Sequence, residues 1–131
     1  MRVFLDTNVW LSAIVFPGLC SELLTEFMES EHELLTSALI HAEMSEVMQR
    51  KFSQHNLAIT LFEHLWKEAT CVTDIDDPAD DADARLVIAA ATAGAELFVT
   101  GDLRVLAWNT HRSMQIISPR DTWKLLFMAS H

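Results

Sequence analysis

Short apolar segments of strand character alternate with helix-forming segments along the whole chain, and this alternation restricts it to folds built on a mostly parallel sheet with helices on both faces. Arg2–Asp6 is a nearly continuous apolar run that ends in an acid. His32–Thr36, Cys71–Ile75, Glu96–Thr100 and Met114–Ile117 repeat the pattern, the third weakened by Asp74. Continuous rather than alternating apolar runs are the mark of strands buried on both faces. Between them lie helical patterns. Ser21 is expected to cap a helix carrying Leu23, Leu24, Phe27 and Met28, and Ser37 one that runs to about Arg50. Leu57–Glu68 places Leu57, Leu61, Phe62, Leu65 and Trp66 on one stripe, while Asp80 to about Ala93 is apolar on most faces. Leu103–Trp108 is a short helix. Ser118-Pro119-Arg120-Asp121 opens the last one, with Pro at the first helical position. The fold expected is α/β, with about five strands in the sheet. The 131 residues contain no linker or repeat, so one domain over 1–131 is expected.

Charge and glycine then exclude function classes. Acids outnumber bases 19 to 9, a net −10, which argues against a general nucleic-acid coat and against binding to anionic membranes. The surplus lies before residue 104, whereas Arg104, Arg112, Arg120 and Lys124 follow with only Asp121 against them. Gly18, Gly94 and Gly101 are the only glycines, and neither a dinucleotide-binding nor a phosphate-binding glycine loop can be written with them. Cys20 and Cys71 are too few for a disulfide framework or a zinc cluster. No apolar run approaches the roughly 18 residues of a membrane helix. A soluble, cytoplasmic protein is expected.

In open parallel sheets, functional residues gather beyond the carboxyl ends of the strands. Asp6 closes the first strand, and Asp102 follows the fourth in Val99-Thr100-Gly101-Asp102, where Gly101 would permit a tight turn. Either acid could simply cap the helix after it. Glu43 borders the apolar stripe Ile40, Met44 and Val47, whereas Glu46 points outward and can pair with Arg50. The densest run is Asp74, Asp76, Asp77, Asp80, Asp81 and Asp83, in which Asp80 as cap and Asp83 in the first turn would account for two. Asp83 opens a buried helix and could reach the edge that holds Asp6 and Asp102. Carboxylates converging without Lys or Arg repel one another unless a divalent cation intervenes, and oxygen ligands suit Mg²⁺ or Mn²⁺. One or two such ions support in-line displacement at a phosphodiester. The chemistry is nuclease-like.

The blocks Phe4-Leu5-Asp6-Thr7-Asn8-Val9-Trp10, Leu35-Thr36-Ser37-Ala38-Leu39-Ile40-His41-Ala42-Glu43, Asp77-Pro78-Ala79-Asp80-Asp81 and Leu97-Phe98-Val99-Thr100-Gly101-Asp102 together resemble PIN-domain proteins, in order and over nearly the whole chain. The nearest resemblance is to toxin components of bacterial toxin–antitoxin systems, akin to VapC toxins. It implies a three-layer α/β/α sandwich and metal-dependent cleavage of single-stranded RNA, with a cognate antitoxin and a homodimer as partners. The implied acidic quartet is Asp6, Glu43, Asp83 and Asp102, supported by Asn8 and Thr100. Asp80 or Asp81 is the alternative to Asp83, because Ala82-Asp83-Ala84 follows the Asp-Pro-Ala-Asp-Asp block here.

The rival expectation is a catalytically inactive module of the same fold that works through protein or RNA binding, with the Leu57–Trp66 stripe as its surface. Two other enzyme classes fail on residues. A haloacid-dehalogenase-type phosphatase wants a second Asp where Asn8 stands, and a receiver domain needs a Lys at the end of the last strand.

Overall fold

A computed structural model describes residues 1–128, so the last three residues of the expected domain lie outside it. The elements run β1 Arg2–Leu5, α1 Thr7–Val15, α2 Leu19–Glu29, β2 Glu33–Ser37, α3 Ala38–Lys51, α4 Asn56–Glu68, β3 Thr70–Val72, α5 Ala82–Thr92, β4 Leu97–Val99, α6 Leu103–Leu106, β5 Thr110–His111, β6 Met114–Ile117 and α7 Pro119–Phe127. The sheet order is β3-β2-β1-β4-β6-β5, parallel except for the last pair. From β1 the chain steps outward through β2 to β3, then returns to the other side of β1 and steps outward through β4 to β6. Right-handed crossovers place α5 and α6 on the face opposite α1–α4, because the direction of travel reverses. The reversal leaves a crevice between the carboxyl ends of β1 and β4, where open α/β sheets bind ligands.

Val3, Phe4, Leu5, Leu35, Phe98 and Val99 are buried in the sheet, as the unbroken apolar runs require. Phe4 and Phe98 stack across neighbouring strands at 5.5 Å. Trp10 of α1 meets Phe62 of α4 edge-to-face, also at 5.5 Å, which joins two helices of one layer. Leu86, Val87, Ala89 and Ala90 bury α5, as its sequence predicts. No single helix among the described residues is long and apolar enough to cross a membrane.

Several local expectations are corrected. The sheet has six strands, because Thr110–His111 pairs back on β6 through a turn that places Arg112 at positive φ, after a second positive φ at Asn109 has led the chain into β5. Two residues carry too little pattern to be read as a strand. Ser21 does not cap α2. That helix starts earlier, at Leu19, behind Gly18, whose φ of 145° is open only to glycine. β3 ends at Val72 because Asp74 leaves the sheet, its Oδ2 accepting from the Leu39 amide at the start of α3. Asp81 rather than Asp80 caps α5, accepting from the Ala84 amide. α6 stops at Leu106, short of Trp108. On α4 only Phe62 is buried, and Leu57 is 88 % exposed.

Ser37 and Ser118 do cap α3 and α7, through the Ile40 and Asp121 amides. Ser118→Ala removes the second cap and is expected to cost about 1 kcal/mol. Urea unfolding would show this as a lower midpoint with an unchanged slope.

Candidate active site at the β1–β4 crevice

Asp6 leaves β1 at the crevice and caps α1, its Oδ1 accepting from the Thr7 amide at 2.8 Å. The cap and the candidate metal ligand are therefore one residue. Its other oxygen accepts from Thr100 Oγ1 at 2.7 Å and, at 3.5 Å, from Asn8 Nδ2. The Asp6 amide donates to Val99 O at 2.9 Å, which fixes the end of β1 against β4. Only 4 % of Asp6 is exposed. Burial, opposed by the bonds from Thr100 and Thr7 and reinforced by Asp83 and Glu43, pushes its carboxyl up to about 6.

Thr100 joins the two strand ends. Its hydroxyl donates to Asp6 and accepts from the Asp102 amide at 3.1 Å. Asn8 adds a second link, its Oδ1 accepting from the Gly101 amide at 3.1 Å. Gly101 has no positive φ, so the tight turn expected there is made by these side-chain bonds, not by a glycine conformation. Asp102 caps α6 through the Arg104 and Val105 amides. Glu43, half-buried in the second turn of α3, accepts from Thr7 Oγ1 at 2.6 Å. Glu46 is exposed and pairs with Arg50 at 2.6 Å, which separates the two glutamates as helix geometry predicts.

Asp83 lies in the first turn of α5. Partial burial and then Asp102 raise its carboxyl, against the pull of Arg104. Coulombic coupling thus ties Asp6 to Asp83 and Glu43, and Asp83 to Asp102. Asp80 is exposed and makes none of these contacts. Asp81 is turned towards Arg104, whose hydrogen bond lowers its carboxyl below the ordinary range. Two contacts are not foreshadowed by the motifs, Thr7 to Glu43 and Arg104 to Asp81 and Asp83. Thr7 had a signal, as the only hydroxyl between Asp6 and Asn8. Arg104 had none, because its partners lie more than 20 residues away.

The donor set consists of hard carboxylate oxygens with mutual repulsion, which fits a divalent cation in chemistry. Among the described residues, however, no three acids are already arranged to hold one ion. Each is engaged internally: Asp6 by Thr100, Glu43 by Thr7, Asp83 by Arg104, and Asp102 by backbone amides. The nearest cation is a guanidinium of the chain itself. A cavity of about 720 Å³ opens between β6 and α7, lined by residues such as Ile116, Lys124 and Leu125, and none of the four acids lines it. Asp6 and Asp102 lie instead just beyond the carboxyl ends of β1 and β4.

The family model described as PIN domain matches residues 2–104, a span that runs from β1 through the start of α6. The chain belongs to the PIN-domain family. No curated protein matches it significantly. PIN domains are generally nucleases and typically use divalent metals, which agrees with an edge built from acids rather than bases. In this PIN domain, Thr100→Val keeps the shape of a buried residue and removes both of its hydroxyl bonds. Outer-shell losses of this kind cost about 10–100-fold in metal affinity. On the reading that Asp6 ligates a divalent cation, proposed below, Thr100→Val is expected to weaken that binding towards the lower end of this range, and titration calorimetry with Mn²⁺ would measure it.

Proposed function

We propose that this PIN domain is a Mg²⁺- or Mn²⁺-dependent endoribonuclease that cleaves single-stranded RNA. The observation that carries the proposal is Asp6, a buried carboxylate at the β1–β4 crevice, coupled to Asp83 and Glu43. Asp6, Glu43, Asp83 and Asp102 would hold the cation. A bound divalent cation supplies charge stabilisation and an activated water for displacement at phosphorus. The chain's own residues prepare the site. Thr100 and the Thr7 amide orient the two oxygens of Asp6. Thr7 holds Glu43 on the crevice side of α3. Asn8 fixes the turn that carries Asp102. The amino ends of α1, α5 and α6 offset part of the acids' repulsion through their dipoles.

Unstructured and structured RNAs incubated with Mn²⁺ or with EDTA test the reading. Cleavage of the unstructured RNA with Mn²⁺ alone supports it, and cleavage that persists in EDTA overturns it. The finer role we propose is that of a toxin in a bacterial toxin–antitoxin system, acting as a homodimer restrained by a cognate antitoxin. Its support is the ordered resemblance from Phe4-Leu5-Asp6 to Thr100-Gly101-Asp102. Growth arrest on induced expression, relieved by Asp6→Asn, tests that role. The non-catalytic reading is favoured by one observation, the exposed Leu57 and Leu61 on α4. A chain that binds no Mn²⁺ in calorimetry would favour it.

A further inference from the structure

Arg104 follows Asp102 by two residues, on α6, and its side chain reaches the start of α5. Its Nη1 donates to Asp83 Oδ2 at 3.2 Å, and its Nη2 donates to Asp81 Oδ2. The guanidinium also lies over the Trp108 ring, 4.9 Å from its centroid. One planar fork therefore spans two carboxylates that differ in their other duties. Asp81 caps α5, with the oxygen that Arg104 does not use accepting from the Ala84 amide. The Asp83 side chain has no other hydrogen-bond partner among the described residues, and its carboxylate is the one coupled to Asp6 and Asp102.

We propose that Arg104 is a built-in competitor for the divalent cation. A cation can use Asp83 only when the guanidinium gives it up, and Asp81 with Trp108 then forms the seat onto which Arg104 withdraws. Arg104 thus serves as a counter-ion supplied by the chain itself, which limits the repulsion among the acids and raises the cation concentration needed to occupy the site. The inference rests on the reading of Asp83 as a metal ligand. It adds that occupancy is governed by a residue that is not a ligand.

The test is calorimetric titration of the whole chain with Mn²⁺ alone, for the parent, Arg104→Gln, Asp81→Asn and the double variant. Exposed ion pairs are weak, so Arg104→Gln should tighten Mn²⁺ binding by roughly threefold to fivefold. Asp81→Asn keeps a side-chain oxygen for the helix cap but removes the seat, and it should weaken binding by a similar factor. In the Arg104→Gln background the effect of Asp81→Asn should vanish, because there is no guanidinium left to seat. A through-space charge effect would instead add in the double variant. Additive effects, or weaker binding in Arg104→Gln, would overturn the inference while leaving the metal site standing. Absence of Mn²⁺ binding in all four chains would overturn the metal-site reading and the inference together. Thermal midpoints of the four chains confirm that each is folded, so a variant that only loosens the α5–α6 contact is recognised by a lower midpoint with unchanged affinity, which also overturns the competition.

Discussion

On the proposed reading, Asp6→Asn is expected to lower the rate of RNA cleavage by about two to three orders of magnitude and to leave the chain folded. The size follows from what the carboxylate is asked to do. Stabilisation by a metal ion of charge developing in the transition state is worth several kcal/mol, and each 1.36 kcal/mol is about tenfold in rate. Asn is nearly isosteric and can still accept from the Thr7 amide, so the cap of α1 persists. The change therefore falls on ligation and not on the fold. Single-turnover cleavage of an unstructured RNA at saturating Mn²⁺ would measure it. A variant with parental activity would remove Asp6 from the mechanism.

The same residue carries the second large effect, on stability. In the folded chain the Asp6 carboxyl is raised from 3.8 to about 6, chiefly by burial. The folded state therefore holds this proton more tightly than the unfolded state does. The stabilisation that comes from protonation is complete below pH about 4 and is lost as pH rises through about 6. A shift of that size corresponds to on the order of 3 kcal/mol. Without metal, Asp6→Asn should thus be more stable than the parent at pH 8, by about 2–3 kcal/mol, with the gap closing towards pH 4. Mn²⁺ should narrow the gap at pH 8 from the other side, since it stabilises the parent more than the variant. Urea midpoints across this pH range decide the matter, and a variant less stable than the parent at pH 8 would contradict a buried, ionised Asp6. Stability given up at this residue is consistent with a site shaped for a ligand.

How much of this could be read from the sequence depended on how local each feature is. Asp6 and Asp102 were legible because an acid directly after an apolar strand has few destinations in a parallel sheet. Glu43 could be told from Glu46 because both lie on one helix, where 100° per residue fixes their faces. The choice among Asp80, Asp81 and Asp83 was not legible, because which of them caps α5 depends on where the loop from β3 lands. That landing is set by contacts distant in sequence, Asp74 with the Leu39 amide and Arg85 Nε with Ile75 O. The hairpin of β5 escaped notice because two residues show no period. Arg104 stands in sequence with the bases that follow the acidic part of the chain, yet its side chain reaches back to α5. Nor does the α4 stripe behave as a uniform core face: Phe62 is buried against Trp10, and Leu57 is left outside.

The central claim is that Asp6, Glu43, Asp83 and Asp102 hold a divalent cation at the β1–β4 crevice. A crystal structure of the chain soaked in Mn²⁺, with the ion located by its anomalous signal, tests this most directly. The expected peak lies among Asp6, Glu43, Asp83 and Asp102, each contacting the ion directly or through its water, with Asp83 released by Arg104, which is withdrawn to Asp81. Manganese bound instead among Asp76, Asp77 and Asp80, with Asp6 still bonded only to Thr100, Thr7 and Asn8, would contradict it.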